Sequence, residues 1–494
     1  MNVKMILPTL TEAFGPYWRS IKYSLFPPLG LATLASYLEE KDEIEIQDEH
    51  VEELRLDDRP DLVAIQVYVT SAYRAYEIAD YYRSRGVHVA LGGLHVTSLP
   101  DEAARHADTI FLGPGEDTWP RFLRDFRAGS PRRRYTSRNR TLIGLPKMRR
   151  ELIKRYLYLV PNSIIVSRGC PYHCDFCYKD PFFRGGKSFY TRSVDDVLEE
   201  INQLPGRHLY FLDDNLFADR RFALALFERM RGVGRLWQAA ATVRSVFDDD
   251  LLRKAEQAGL RSLFIGFETL DRASLKEQGK EHNANLNYQE AVRRIHDAGI
   301  MINGSFIFGM DNHDESVFGR TVEWAVEAGI ETATFHILTP YPGTALYDRM
   351  AKQGRLLHRN WDLYDTRHVV YRPAGMTPAA LEEGYWRAYR HFYRWGSIMK
   401  GANSNKSPAG FIRHLALAGG WKKSEPLWDW IIRHKQIRRM RPLLESILSE
   451  FGRHPSPGLS DPGRPSSRSR RSWERSTASS HNSIPPASCR GWTG

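Results

Sequence analysis

The chain reads as an α/β protein: a doubly wound parallel sheet, then a partial (βα)6 barrel, then a helical C-terminal region and a disordered tail. Three observations carry that reading. Short apolar strand candidates alternate with helical stretches from the N-terminus to about residue 340, the pattern of βαβ units and parallel sheets. The alternation is interrupted once, by a basic and poorly patterned linker over residues 131–160. Beyond residue 376 the apolar spacing becomes i, i+3, i+4 and i+7, and beyond residue 453 it vanishes.

The first domain, residues 1–130, is expected to place strands at Val3–Leu7, Ile44–Gln47, Leu62–Val69, Val87–Leu91 and Thr109–Leu112. Its helices are expected at Leu29–Glu40, Ser71–Arg85, Asp101–Ala107 and Thr118–Arg127. Glycine-bearing turns follow two of the strands, Gly92-Gly93-Leu94-His95 and Gly113-Pro114-Gly115-Glu116. Ligands of open α/β sheets settle beyond the carboxyl ends of the strands, and glycine there lets the backbone approach a large ligand closely. Two such turns in one small Rossmann-like sheet point to a cofactor bed.

After the linker, the second domain covers residues 161–350. Strands are expected at Ser163–Ser167, His208–Leu212, Trp237–Thr242, Ser262–Phe267, Ile302–Phe308 and Thr332–Leu338. Helices lie between them, at Val194–Gln203, Phe222–Arg231, Asp249–Ala258, Tyr288–Ala298 and Ser316–Ala328. Reacting groups of such a barrel belong at the C-terminal ends of its strands. Residues 351–452 read as helical. There Tyr385, Trp386, Tyr389, Phe392, Tyr393 and Trp395 form an aromatic stripe, which favours core packing and also permits a lid over the open barrel face.

With 494 residues, 42% hydrophobic and 26% charged, the composition suits about 100–200 residues per domain and two to four domains. No apolar run reaches the ~18 residues of a membrane span, and Met1–Pro8 lacks the features of a signal peptide. A cytoplasmic chain without a membrane span is therefore expected. The net charge of +11 is unevenly spread. Seven arginines against Asp461 and Glu474 give residues 453–494 a charge of +5 and leave +6 for the rest. This Ser-, Pro- and Arg-rich tail reads as disordered, so no nucleic-acid partner is expected.

Four cysteines occur in the whole chain, too few for a disulfide scaffold. Three of them, Cys170, Cys174 and Cys177, follow the first barrel strand as C-x3-C-x2-C. Thiolates from one loop can converge on a soft metal centre. A structural zinc normally takes four ligands, but Cys489 is more than 300 residues away and His173 adjoins Cys174 too closely to serve without strain. A four-iron cluster held by three cysteines resolves the count and leaves one iron open to a small ligand. A zinc knuckle or a chance grouping is the alternative.

The loop C-x3-C-x-aromatic-C after the first strand of a partial βα barrel resembles the radical S-adenosylmethionine (SAM) superfamily. The resemblance implies a 4Fe-4S cluster whose open iron binds the amino and carboxylate groups of SAM, and one-electron cleavage to a 5′-deoxyadenosyl radical. Further family segments occur in order. Leu212-Asp213-Asp214-Asn215 stands where the family meets the methionine amine, although Gly-Gly-Glu is often found there. Glu268, in Gly266-Phe267-Glu268-Thr269, matches a position near the ribose, and Ser305 lies in the adenine-side segment Gly304–Gly309. Phe176 fits the aromatic against which adenine packs.

A Rossmann-like domain ahead of such a barrel resembles the cobalamin-binding subclass. Gly92, Gly93, His95, Gly115 and Glu116 are the implied cobalamin-binding residues, with Thr70 and Ser71 at the corrinoid's nucleotide tail. Pro27-Pro28-Leu29-Gly30 leading into a helix also fits the subclass. Asp48-x-His50 resembles the start of the cobalt-ligating Asp-x-His-x-x-Gly motif, but Glu53 stands at its glycine and the pair follows the second strand. His50 is therefore expected to sit in an exposed polar turn and is not assigned to cobalt.

The expected activity is C-methylation of an unactivated carbon in a small molecule or a lipid or natural-product precursor. One SAM would methylate cobalamin and a second would generate the substrate radical, with electrons from a donor such as flavodoxin or ferredoxin. The nearest rival is a cyclase or rearrangement enzyme of the same architecture. An RNA-modifying methylthiotransferase is opposed by the absence of any cysteine before Cys170. A non-catalytic metal-binding module is the distant alternative. Trp361–Asp365 and the aromatic stripe are candidates for an apolar substrate pocket, Tyr341–Thr344 for its closure, and His336 and Tyr341 for a general base on position alone.

Overall fold

Runs of aliphatic and β-branched residues bounded by glycine turns become parallel strands. The computed structural model describes residues 1–10, 26–405 and 408–422. In its first sheet β1 (Asn2–Leu7), β2 (Glu43–Asp48), β3 (Leu62–Gln66), β4 (His88–Gly92), β5 (Thr109–Leu112) and β6 (Arg134–Thr136) run parallel. Their order is β2-β1-β3-β4-β5-β6. Helices α1 (Leu29–Ala35), α2 (Ala72–Ser84) and α3 (Trp119–Arg127) complete the layers.

Alternate side chains of β3 serve opposite faces, as the strand pleat requires. Val63 and Ile65 join Ile78 and Tyr82 of α2 in one core. Leu62 and Ala64 join Ala32 of α1 and Phe122 of α3 in the other. Both faces being covered explains why these strands read as nearly unbroken apolar runs.

The second sheet takes β7 (Ser163–Ile164) and then skips a hairpin, β8 (Ser167–Gly169) with β9 (Phe189–Thr191). It continues through β10 (His208–Phe211), β11 (Leu236–Ala241), β12 (Leu260–Glu268), β13 (Met301–Phe308) and β14 (Thr332–Ile337), parallel throughout and in sequential order. Helices α4 (Val194–Gln203), α5 (Arg220–Met230), α6 (Asp249–Gln257), α7 (Tyr288–Asp297) and α8 (Ser316–Glu327) return the chain between strands. Side chains of Ser193, Asp219, Asp248 and Asn287 accept N–H bonds at the starts of α4 to α7, which sharpens those boundaries.

Burial alternates along the barrel strands. Leu209, Phe211, Trp237, Ala239 and Phe335 are buried under the helices, whereas Tyr210, Gln238, Ala240, Phe264, Thr334 and His336 on the other face stay half-exposed. Strand β13 departs from this alternation and is buried on both faces apart from Asn303. Among the described residues no helix is long and apolar enough to cross a membrane.

Helices α9 (Pro378–Phe392), α10 (Trp395–Asn403) and α11 (Pro408–Leu415) follow. Four of the six aromatics of the stripe are packing, while Trp386 and Trp395 stay exposed. Tyr385 and Phe392 belong to the barrel core, and the Tyr389 and Tyr393 hydroxyls bond the backbone of Phe335 and Ala333 along the edge of β14. Trp361 and Tyr364 likewise sit in the first domain's core. The expectations for residues 423–452 and for the tail, Cys489 included, lie outside the described residues.

Four other departures concern where elements begin and end. The expected strand Ser163–Ser167 breaks after Ile164, because Asp213 Oδ1 takes the Val166 and Ser167 N–H groups that would extend the ladder. The strand expected to reach Val69 stops at Gln66 and turns through Val69–Ser71. The expected helix Asp101–Ala107 shortens to Pro100–Ala103, with Pro100 at its first position, and an unexpected short helix, Leu94–Ser98, precedes it. Finally, the segment read as linker contributes β6, whose Tyr135 is 4% exposed and stacks on Phe111.

Candidate active site

The cysteine loop is fastened at several points. Cys170 N–H donates to Ser188 O at 3.0 Å, Cys177 N–H to Cys174 O at 3.0 Å, and Asp175 N–H to Gln278 O at 3.1 Å. Gly169 has φ +79°, and a Cβ there would collide with the Ser188 carbonyl, so glycine is required where β8 hands over to the loop. Arg349 holds Asp175 at 2.6 Å, and the Tyr172 ring stacks on His282 at 3.7 Å.

All three cysteines are free thiols and half-buried. Burial pushes the Cys174 thiol up to about 12 and raises Cys177, with the charges of Lys280 and Lys179 pulling the other way. Asn215 Nδ2 donates toward Cys170 Sγ at 3.7 Å, while its Oδ1 is buried without a partner among the described residues. No three His, Cys, Asp or Glu side chains among the described residues gather closely enough for a single metal ion. Three thiol donors on one loop are the ligand type that iron–sulfur clusters take.

The two aspartates after β10 anchor this loop. Asp213, 4% exposed, accepts from Val166 N at 3.1 Å and Ser167 Oγ at 2.5 Å, as well as from Ser167 N. Burial pushes its carboxyl up to about 7. Asp214 accepts from Gly169 N at 3.0 Å and from the Tyr178 hydroxyl at 2.8 Å. Glu268 ends β12 at a register irregularity with φ +64°, unusual for a residue other than glycine, and its carboxylate pairs with buried Lys280. Ser305 is buried opposite Gly266 on β13, and Phe176 packs against the barrel core. Asp213, Asp214 and Glu268 lie at the carboxyl ends of barrel strands and Phe176 on the cysteine loop, whereas Ser305 sits within β13.

A cavity of about 460 Å³ opens between the strand ends of the first sheet and the mouth of the barrel. On the first-domain side it is walled by Gln66, Tyr68, Gly92, Gly93, Gly115 and Glu116, and on the barrel side by Ser167, Arg168, Tyr178 and Asp214. Gly93 has φ +118°, and a Cβ there would stand 2.7 Å from Val67 O, so only glycine keeps this wall flat. Glu116, 8% exposed, accepts from Arg168 Nη2 at 2.8 Å and Nε at 3.1 Å, joining the first domain to β8. Desolvation lowers the Arg168 pKa, but Glu116, Tyr190 and Asp214 together outweigh it and the net shift is upward.

Of the residues singled out from sequence for a large cofactor, Gly92, Gly93, Gly115 and Glu116 line this cavity. Thr70, Ser71 and His95 are not part of its wall. Ser71 is fully buried and its hydroxyl serves the Tyr68 backbone. His95 is fully buried too, with Nε2 3.0 Å from Glu102 and its ring edge-on to Trp361. His50 is not the exposed turn residue expected. It is 5% exposed, with Nδ1 2.8 Å from Asp48, whose other oxygen accepts from Tyr158. His336 Nδ1 lies 3.1 Å from Thr366 Oγ1, and Tyr341 is half-buried against the first domain's core. Tyr68, Arg168 and Tyr178 are wall residues the sequence did not single out. Tyr68 was hidden by reading β3 as longer than it is, and the other two belong to a different domain from the rest of the wall.

Comparisons with known proteins agree with this fold. The family model of the radical SAM superfamily matches residues 164–325, and that of the B12 binding domain matches residues 22–123. The bacteriochlorophyllide d C-12(1)-methyltransferase of Chlorobaculum tepidum is 32% identical over 353 residues, covering 69% of this chain and 76% of that protein. The hopanoid C-2 methylase of Rhodopseudomonas palustris is 26% identical over 381 residues, covering 72% and 71%. Among solved structures, the cobalamin-dependent SAM radical enzyme OxsB with aqua-cobalamin and SAM bound aligns with TM-score 0.61 at 15% identity, covering 91% of this chain and 75% of that one.

Proposed function

The chain belongs to the B12-binding branch of the radical SAM superfamily, and from that premise we propose that it transfers a methyl group to an unactivated carbon of a small molecule. Its cofactors are a 4Fe-4S cluster, SAM and cobalamin. Bound together, they supply a transferable methyl group and a carbon-centred oxidant, chemistry that resides in the cofactors while the protein positions them. The observation that carries the reading is the cavity that joins the strand-end turns of the first domain to the cysteine loop. A methyl donor bedded on one wall would face a radical source on the other.

Cys170, Cys174 and Cys177 would hold the cluster. The donor set fits it: three free thiols, each on an anchored stretch of loop, with Asn215 donating toward one sulfur. Phe176, Asp214, Glu268 and Ser305 are the candidates for contact with SAM, while Asp213 keeps the loop in register. Gly92, Gly93, Gly115 and Glu116 would cradle the corrinoid, with Tyr68 and Arg168 added to that set. Closing the cavity between two domains excludes water from the reacting groups. The electrons would come from a small donor such as flavodoxin or ferredoxin, and the location would be cytoplasmic.

The substrate class is read from the relatives. One of them acts on a bacteriochlorophyllide and another on a hopanoid, both large and mainly apolar, which favours a lipid or pigment-like precursor here. The test is incubation of the reconstituted enzyme with methyl-labelled SAM and such candidates, followed by mass spectrometry. A product heavier by one CH2 and carrying the label on carbon is expected. A product formed without label would replace methylation with cyclisation or rearrangement.

A further inference from the structure

We propose that Arg140 is a positioning residue that sets the separation between the two cofactor beds, tying the hairpin next to the cysteine loop to the strand-end turn of the first domain. The proposal rests on the functional reading above, because only a reaction using both beds needs their spacing held.

Arg140 lies in the segment read from sequence as linker, yet it is 7% exposed. On the first-domain side, Nε donates to Ser137 Oγ at 3.2 Å and Nη2 to Ser137 O at 3.2 Å. Ser137 N–H in turn donates to Leu112 O at 2.9 Å, at the end of β5. On the barrel side, Nη1 donates to the Phe183 carbonyl and to Lys187 O at 3.0 Å, and Nη2 to Arg184 O at 3.0 Å. The Phe183 ring lies 5.6 Å from the guanidinium. One planar fork therefore gathers carbonyls from both domains, which the point charge of a lysine cannot reproduce.

Each end leads directly to a bed. Ser188, next to Lys187, accepts the Cys170 N–H at 3.0 Å, so fixing residues 183–187 fixes the start of the cysteine loop. Gly113 lines the cavity, and a Cβ on it would meet Phe182 O at 3.2 Å and Arg140 Nη2 at 3.3 Å. The guanidinium is thus packed beneath the cavity wall. Glu116 and Arg168 form a second connection, but both of its hydrogen bonds end on one carboxylate oxygen. The Arg140 fork instead reaches four carbonyls and the Ser137 hydroxyl, with partners on both sides.

The test uses the full chain reconstituted with iron, sulfide and hydroxocobalamin, as wild type, R140Q and R140K. Iron content and cobalamin absorbance after desalting report whether each bed survives. Dipolar splitting of the cob(II)alamin electron paramagnetic resonance signal by the reduced cluster reports their separation. R140Q is expected to keep both cofactors at wild-type stoichiometry and to lose the resolved splitting, with R140K intermediate. Wild-type splitting in R140Q overturns the proposal, as does selective loss of the cluster, which would confine Arg140 to supporting the hairpin. Should R140Q fail to fold, the splitting in R140K decides. A wild-type chain that takes up neither cofactor would overturn the functional reading instead.

Discussion

Replacing Gly93 by alanine tests how closely the first domain's turn is fitted to a large cofactor. Gly93 has φ +118° and ψ −168°, a region that is essentially glycine-only and costs an L-residue about 1–3 kcal/mol. The new Cβ would stand 2.7 Å from Val67 O and 3.0 Å from Val67 N, and real Cβ atoms essentially never come under 3.0 Å. Those are backbone atoms of the segment leaving β3, so the strand ends must part by a few tenths of an ångström. Val67 O also accepts the His95 N–H at 3.3 Å, and weakening that bond adds about 1 kcal/mol. G93A should therefore lose about 2–4 kcal/mol in urea unfolding and retain less cobalamin after desalting. The control is G129A: Gly129 has φ +73° with nothing within 4 Å of its Cβ, so it meets backbone strain alone, about 1–2 kcal/mol. If G93A costs no more than G129A and holds cobalamin like wild type, the close-fit reasoning is wrong.

Other perturbations separate further parts of the structure. E116Q removes the charge that faces Arg168 across the domain boundary, where both groups are largely buried. It should cost about 1–3 kcal/mol and accelerate cobalamin loss; unchanged retention would count against a role in the cavity wall. Glu331 is fully buried; burial alone would raise its pKa, but His296, His414 and Arg413 outweigh this and hold it at about 2. A depressed carboxyl contributes stability above its unfolded range, and that contribution fades as pH falls from 4.5 toward about 2. E331Q should therefore be less stable than wild type at neutral pH, with the two stability curves converging through that window; parallel curves would contradict the assignment. Y393F removes a hydroxyl that donates to Ala333 O at 2.7 Å and accepts from Ala333 N at 2.9 Å. It should cost about 1–3 kcal/mol by denaturant titration, and no loss would mean that water completes the β14 edge equally well.

The parts of the molecule governed by local chemistry were legible in the sequence. Helix α4 and strand β5 begin and end where expected, because a Ser193 cap and a glycine turn mark their limits. The cysteine spacing revealed the loop, and the glycine turns after β4 and β5 revealed one wall of the cavity. Features that depend on a distant partner were not legible. Tyr135 is one aromatic among arginines, so β6 has no periodicity to show. Arg140 is an ordinary basic residue until the carbonyls of Phe183, Arg184 and Lys187 converge on it. Thr70 and Ser71 look suited to a cofactor tail only if β3 continues; it stops at Gln66, and Tyr68 reaches the cavity instead. Asp213 illustrates the same limit, since its task is set by the Val166 and Ser167 backbone and cannot be read from an acidic pair alone.

The central claim is that Cys170, Cys174 and Cys177 hold a cluster whose open iron binds SAM. Anaerobic reconstitution with iron and sulfide, followed by electron paramagnetic resonance of the reduced chain with and without SAM, tests it most directly. The expected result is a reduced-cluster signal that changes when SAM is added and is absent from the C170A/C174A/C177A variant. A wild-type chain that binds zinc in place of a cluster, or a cluster signal indifferent to SAM, would contradict it.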